Sequence, residues 1–573
     1  MMKTFSQLKK SLKNNFSGLQ PVKLAVLGDT ATQFLCQSLR GSGFDKGFDL
    51  QIWETDFNQV KRQVFDPSSE LYAFAPDVVI VFLSAHKLLS KYDTSGDEQN
   101  RLAENELADI RQLYETLHAG LKAKIIFYNY PEIDDSVFGN YANKTNSSFL
   151  FQLRKLNYEL MVLASTESNL HICDLSAIQN RFGKSFFFQT SVYINTEMVL
   201  SIDCLPEVAH RTLDLIGAMY GKIKKCLILD LDNTLWGGII GDDGLENIQI
   251  GSLGIGKAFT EFQYWIKKLK NRGIILAVCS KNEEATAKEP FEKHPDMVLR
   301  LDDFAVFVAN WENKADNIRH IQSILNISFD SMVFLDDSPF ERNMVKENLP
   351  DITVPDLPED PADYLEVLYT LNLFETVSFS TEDAGRTKQY QLAAERSVFQ
   401  EKFTNEDDFL QNLQMVSLVE PFTKFNIPRV AQLSQRSNQF NLRTVRYSES
   451  DIETVSISKD SFPFSFTLED KFGDNGLICV LILTKENDNT LFINTWLMSC
   501  RVLKRGMEQF VLNTIADFAK KNNYNFLKGE YIATAKNGMV KDHYQNLGFA
   551  SDGNYWLLDT MKYENKKCYI NYK

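Results

Sequence analysis

Two carboxylates two residues apart, Asp230 and Asp232, end the apolar run KKCLILDLD (Lys224 to Asp232) and are followed by Asn233 and Thr234. A short unbroken apolar run reads as a buried parallel strand. In open α/β sheets ligands bind beyond the carboxyl ends of the strands, so both acids would project into a crevice. There they could bind one divalent cation, or divide the roles of nucleophile and general acid/base. A solvated turn uses the same residue types, because Asp and Asn are common where strands end. An EF-hand opening is a third reading. It fails because Leu235 stands where glycine is required and a strand, not a helix, precedes the loop.

Three later signals change the balance by their order. Ser280 closes the strand pattern IILAVCS, Lys314 lies near a helix start in NWENKADNI, and Asp336-Asp337 close SMVFLDD. Singly these are a turn serine, a surface lysine and an acidic pair. Together they supply a nucleophilic carboxylate, a hydroxyl and an ammonium for phosphoryl oxygens, and further carboxylates for Mg²⁺. That is a phosphoryl-transfer site, and it calls for a metal because a carboxylate approaches an anionic phosphoryl group only when positive charge screens the repulsion. The intervals 230–280 and 280–314 are taken up by the sheet's own strands and helices. No large cap fits, and only the short flap WGGIIGDDG (Trp236 to Gly244) can fold over the site. A nearly capless site suggests help from a neighbouring domain or a macromolecular substrate.

In order, DLDNT, VCS, the lysine and FLDDSPFER match the four motifs of the haloacid dehalogenase (HAD) superfamily. The resemblance implies that Asp230 attacks phosphorus to give an aspartyl-phosphate, and that Asp232 protonates the leaving group and then activates water. It implies that Ser280 and Lys314 hold the phosphoryl group, and that Mg²⁺ is bound by Asp230, the main-chain carbonyl of Asp232 and Asp336, with Asp337 close by. DLDNTLWGGIIGDDG, CSKNEE, FLDDSPFERNMV, LSQRSNQFNLRT, SCRVLKRGMEQFVL and YIATAKNGMVKDHYQNLGF together resemble the FkbH-like family over roughly Lys222 to Ala550. This is a HAD subfamily (IIIC) with a C-terminal region like the N-acetyltransferases (GNAT).

Such proteins are associated with taking a glyceryl group from 1,3-bisphosphoglycerate, removing phosphate and delivering the group to an acyl carrier protein as a thioester. The implied activity is a phosphatase or phosphotransferase coupled to acyl transfer. A plain phosphatase with a noncatalytic GNAT-like domain, and a scaffold for a biosynthetic complex, are the alternatives.

The GNAT resemblance makes Arg501, Arg505 and Gly506 of RVLKRG the turn that receives the pyrophosphate of coenzyme A or phosphopantetheine. A helix start has the N–H groups to bind phosphate, although an ordinary strand-to-helix turn would look the same. A thioester relay needs a cysteine. Cys226 lies four residues before Asp230, ~13 Å away at ~3.3 Å per residue, and Cys279 should point opposite to Ser280; both read as buried core thiols. Cys500, beside the RVLKRG turn, is the candidate acyl carrier, against a buried structural reading.

Strands alternating with helices predict a multidomain α/β chain. We expect a flavodoxin- or SGNH-like α/β domain over 1–221, a capless Rossmannoid HAD domain over 222–360, a helical linker over 361–415 and an α+β GNAT-like domain over 416–573. In the second domain the expected strands are Ile274 to Ser280, Met297 to Asp303 and Ser331 to Asp337. In the last, GDNG and KENDN are expected at turns. The first domain's VLGDTAT loosely resembles the opening of SGNH hydrolases, but Thr30 stands for the serine and Glu207-x-x-His210 lacks the usual Asp. Thr30 is more simply a helix cap and His210 a surface helix residue, so this domain is expected to be an inactive recognition or dimerisation platform.

The 573 residues carry 61 Lys+Arg against 76 Asp+Glu, a net charge of −15, which argues against nucleic acid or anionic lipid as partners. Eight cysteines without a C-x-x-C pair signal neither a zinc site nor a disulfide framework. The basic N-terminus lacks the apolar stretch of a secretory signal, and no run reaches the ~18 apolar residues of a membrane span. A cytoplasmic location is expected, with a phosphorylated three-carbon metabolite and an acyl carrier protein as partners. The oligomeric state has no signal.

Overall fold

The computed structural model describes residues 3–379, 385–400, 402–499, 502–534 and 536–573, which fall into two units, Met1–Gly217 and Ala218–Lys573. In the first unit, β1 (Gln20–Gly28), β2 (Phe48–Glu54), β3 (Val78–Phe82), β4 (Lys124–Tyr128) and β5 (Leu170–Cys173) pair in parallel in the order β2-β1-β3-β4-β5. All five residues of β3 are buried, which is why it reads as an unbroken apolar run. The edge strand β2 is half exposed, and its polar residues hide it from that test.

Thr30 does not cap the helix that follows β1. The cap position belongs to Thr32, whose hydroxyl donates instead to Glu54 (3.0 Å), while the Thr30 hydroxyl is buried without a partner. His210 is half-buried beside Asp214 (3.5 Å) and Glu207 pairs with Arg211. Among the described residues no hydrogen bond joins either one to Thr30.

The second unit holds two sheets. Strands β6 (Cys226–Leu229), β7 (Ile275–Ser280), β8 (Phe304–Ala309) and β9 (Met332–Leu335) form a parallel sheet in the order β8-β7-β6-β9. The alternation of β6 sends Leu227 and Leu229 into one core and Cys226 and Ile228 into the other, so the sheet is covered on both faces. The expected strand Met297 to Asp303 is not formed; β8 begins only at Phe304. Side chains outbid the ladder for its main chain: Gln263 accepts from the N–H groups of Val298 and Leu299 (both 3.1 Å), and Asp303 accepts from that of Arg300 (2.9 Å).

The other sheet comprises β10 (Met415–Ser417), β11 (Val419–Glu420), β12 (Ser461–Asp470), β13 (Gly473–Asn487), β14 (Thr490–Met498), β15 (Phe526–Glu530), β16 (Ala550–Asp552), β17 (Tyr555–Asp559) and β18 (Ile570–Tyr572). GDNG is not the turn but the start of β13. The reversal comes two residues earlier, where the Asp470 carboxylate accepts from the N–H groups of Phe472 and Gly473 (2.9 and 3.3 Å).

Strands β14 and β15 run parallel but pair only between Thr490–Phe492 and Phe526–Lys528. Beyond that point the segment 440–442 is wedged between them. Leu442 and Met498 exchange main-chain bonds with Trp496 and Phe440, and the Ile532 N–H donates to the Leu442 carbonyl (2.9 Å).

The helix Arg386–Gln400 packs on β7 and β8 with one face and on β13 with another. Gln391 donates to the carbonyls of Asp302 and Phe304 (3.0 and 2.9 Å), and Arg396 forms a bidentate pair with buried Asp470 (2.7 and 3.0 Å). This expected linker therefore joins the two sheets into one body. Among the described residues no helix is long and apolar enough to cross a membrane.

Candidate active site

The four motifs meet because parallel strands in one sheet end on the same side. Asp230 follows β6, Ser280 ends β7, Lys314 opens the helix Lys314–Leu325 after β8, and Asp336 follows β9. Asn313 caps that helix through the Ala315 N–H (2.8 Å), which fixes where the Lys314 stem starts. The lysine lies 2 % exposed, with its ammonium 3.0 Å from Asp230 Oδ1 and 2.6 Å from Asp336 Oδ2.

Oxygens of Asp230, Asp336 and Asp337 all come within 4.8 Å of one another. Asp232, the fourth residue of the expected metal set, turns its carboxylate elsewhere. It accepts from Trp236 Nε1 and the Ile240 N–H (both 3.0 Å) and from Asn282 Nδ2 (2.8 Å). Only its main-chain carbonyl is left for the role the resemblance implied.

The first turn is shaped by Asn233, held at φ +54, a conformation asparagine tolerates well. Its side chain accepts from the Gly238 N–H (2.9 Å) and its carbonyl accepts from Tyr364 Oη (3.1 Å). The flap is anchored rather than loose. Trp236 is buried edge-on to Phe291, and Gly237 exchanges two main-chain bonds with Gln249.

Several residues act here that the motif reading passed over. Asn282 joins Asp232 to Ser280 Oγ (3.3 Å), Thr234 exchanges bonds with Asp337, and Arg342 donates to the carbonyls of Asp336 and Asp337 (2.7 and 2.6 Å). Asn282 and Arg342 lie within CSKNEE and FLDDSPFER, so their signal was proximity to the motif residues.

Three carboxylates around one buried ammonium are short of positive charge. Burial pushes Asp336 up from 3.8 to about 7, the Asp230 carboxylate adds to the rise, and Lys314 opposes it; burial and then Asp230 raise Asp337 too. A divalent cation among hard oxygen donors would relieve that repulsion, so the donor set fits Mg²⁺.

A carboxyl whose folded-state pKa is raised holds more protons folded than unfolded between its two pKa values, here about 4 and about 7. Stability from this group is therefore greatest at low pH and falls as pH rises through that window. Mg²⁺ should accordingly raise the melting temperature of metal-stripped protein more at pH 8 than at pH 5.5, where it must displace a proton. Asp336→Asn should abolish the difference. Equal Mg²⁺ shifts at both pH values would contradict it.

The cysteines divide clearly. Cys226 and Cys279 are fully buried, and burial raises both thiols; Cys279 Sγ donates to the Lys314 carbonyl (3.7 Å). They are core thiols. Cys500 and Arg501 lie outside the described residues.

At the RVLKRG turn, Gly506 opens the helix Met507–Lys521 at φ +77, and Arg505 reaches to Asp470 (3.2 Å). Arg501, the other basic residue of the expected pyrophosphate turn, lies outside the described residues, so the turn is seen only in part.

The model of the family described as FkbH, N-terminal domain matches residues 23–217, the domain whose own motifs were least informative. The crystal structure of the N-terminal part of BF1531 from Bacteroides fragilis, containing a phosphatase domain complexed with Mg, is 59% identical with a TM-score of 0.64. The match covers 66% of this chain and 100% of that one. The E. coli ribosomal-protein-S18-alanine N-acetyltransferase (15% identical, TM-score 0.21) is matched over 26% of this chain and 99% of its own. The Vibrio cholerae spermidine N-acetyltransferase in complex with CoA and spermine (12%, 0.21) is matched over 26% and 97%. No curated protein sequence matches.

Proposed function

Because the chain belongs to the FkbH-like family, we propose that it is a Mg²⁺-dependent phosphatase of the HAD type. It dephosphorylates a phosphoglyceryl donor such as 1,3-bisphosphoglycerate and passes the acyl group to the thiol of a carrier protein. The observation that carries the phosphatase reading is the convergence of Asp230, Ser280, Lys314 and Asp336 at one sheet end, with Lys314 bridging two of the carboxylates (3.0 and 2.6 Å). The Mg-complexed relative supports the metal.

Asp230, Asp336 and the Asp232 carbonyl would hold Mg²⁺, with Asp337 beside them; bound there, the ion offsets the charge between carboxylate and phosphoryl group. Asp230 attacks phosphorus, and the bond to the leaving oxygen breaks as the aspartyl-phosphate forms. Asp232, aimed by Trp236, Ile240 and Asn282, gives the leaving oxygen its proton and later takes one from the attacking water. Ser280 and Lys314 donate to the phosphoryl oxygens, in a pocket dry enough to strengthen both contacts. The seven described cysteines are free thiols, which supports the reducing, cytoplasmic compartment.

The pairing of Arg505 with Asp470 (3.2 Å) favours a second reading, in which the chain releases phosphate and the C-terminal domain only binds substrate. Mass spectrometry of the full chain after incubation with 1,3-bisphosphoglycerate separates the two. A glyceryl adduct on cysteine is expected for transfer, and free phosphate without an adduct supports the plain phosphatase.

A further inference from the structure

In the first unit the helix Phe149–Thr166 is apolar on both sides. Its inner face, with Phe149, Leu153, Leu156, Leu160 and Leu163, is buried in the core. An outer face left to water would be polar. Instead Phe151, Tyr158 and Val162 recur there at helical spacing with Met161 beside them, and all four are exposed. The neighbouring helix Leu102–Gly120 shows the ordinary pattern, with Glu104, Arg111, Gln112 and Glu115 turned outward.

The apolar face continues into the turn before the helix. Val137, Phe138 and Tyr141 are exposed there, and Asn143 accepts from Arg154 (2.6 Å), which holds this turn against the helix's outer side. Phe138, Tyr141, Phe151 and Tyr158 are 39, 61, 36 and 59 % exposed, which at ~200 Å² per ring leaves ~400 Å² in water. Val137, Met161 and Val162 add to it. An interface of ~800 Å² per partner is a little over half apolar, or ~450 Å². The face is therefore large enough to hold a dimer.

Its charges select a second copy of the chain. Lys155 and Glu159 stand on the same side of the stripe, ~60° and ~100° round from Tyr158 at ~100° per residue. A two-fold axis at Tyr158 reverses the helix in the second copy but keeps that side facing its equivalent. At ~1.5 Å per residue, Lys155 then lies ~3 Å along the helix from Glu159 of the partner subunit, within reach of an ion pair that occurs twice. Lys155 also bonds Glu104 of its own chain (2.8 Å), and an ammonium has donors for both. Arg154 is neutralised by Glu132 (2.6 Å), so no like-charge repulsion is left at the centre of the face. An anionic lipid surface fits poorly, because Glu104, Glu115 and Glu159 border the stripe in a chain with net charge −15.

We propose that the outer face of the helix Phe149–Thr166, with the turn before it, is the contact between two copies of this chain, packed antiparallel with Tyr158 at the two-fold axis. Sedimentation of the full chain tests it. At ~100 µM, where an interface of standard size is filled, a dimer is expected. Tyr158→Glu should weaken it about thirtyfold or more, as loss of a central aromatic anchor does. Phe57→Glu, beyond β2 at the far edge of the sheet, removes another exposed ring and should leave the dimer unchanged. Lys155→Glu and Glu159→Lys should each weaken the dimer, and the double variant should recover most of the loss, which reads the contact even if Tyr158→Glu fails to fold. Tyr158→Cys, oxidised as the dimer, should cross-link to its own copy, since a residue on the two-fold axis meets itself. A chain that stays monomeric at that concentration, a dimer indifferent to Tyr158→Glu, charge variants that the double does not rescue, or a dimeric Tyr158→Cys chain that does not cross-link would overturn the proposal.

Discussion

Asp230→Asn is expected to slow phosphate release by ~10⁴-fold or more, the scale seen when a covalent nucleophile is removed, without lowering the melting temperature of the metal-free chain. The two effects separate because the residue does two things. As a nucleophile it is irreplaceable, since an amide has no charge to bring to phosphorus. As a structural group it is a liability, because its carboxylate raises both Asp336 and Asp337. The amide oxygen can still accept from Lys314, now 3.0 Å away, and one of three mutually repelling charges is gone. Phosphate release within tenfold of the parent would eliminate Asp230 as the nucleophile. A large fall in melting temperature would mean that the Lys314 pair outweighs the repulsion.

Lys314→Met should cost both activity and stability. Removing one partner of a buried ion pair leaves the other uncompensated, at about 3–5 kcal/mol, and here the ammonium serves two carboxylates at once. Burial alone would lower this lysine's pKa; Asp230 and Asp336 instead hold it above its ordinary value, so it stays charged throughout the working pH range. Mg²⁺ should restore much of the lost melting temperature, since it supplies charge to the same oxygens. It should not restore turnover, because the donor to the phosphoryl oxygens is missing. Recovery of both by Mg²⁺ would reduce Lys314 to a counter-ion.

Asp230, Ser280 and Asp336 were legible because each sits at the end of a strand that is buried on both faces, and Lys314, at a helix start, was legible by its order between them. Buried strands leave unbroken apolar runs, and the acids after Leu229 and Leu335 and the serine ending β7 are the first polar residues those runs meet. Residues that act by touching them signalled at most their nearness to a motif, not the contacts they make. Asn282 and Thr234 reach their partners across 50 and more positions of sequence, and Tyr364 reaches Asn233 across 131. Strand β8 was misplaced because apolarity is common to Met297–Leu299 and Phe304–Ala309, and only the distant Gln263 decides between them. In the C-terminal sheet the GDNG reading followed turn chemistry, but the Asp470 carboxylate turns the chain first.

The wedge at 440–442 bears on how anything could bind along β14. An unpaired strand edge invites an extended ligand to add on by main-chain hydrogen bonds. Here the protein's own segment already makes them with Trp496 and Met498. A ligand for that seam would have to exchange with the wedge rather than join it, paying for an opening step before gaining its own contacts. Association there would follow the rate at which 440–442 lifts away, so the observed rate would level off as ligand concentration increased.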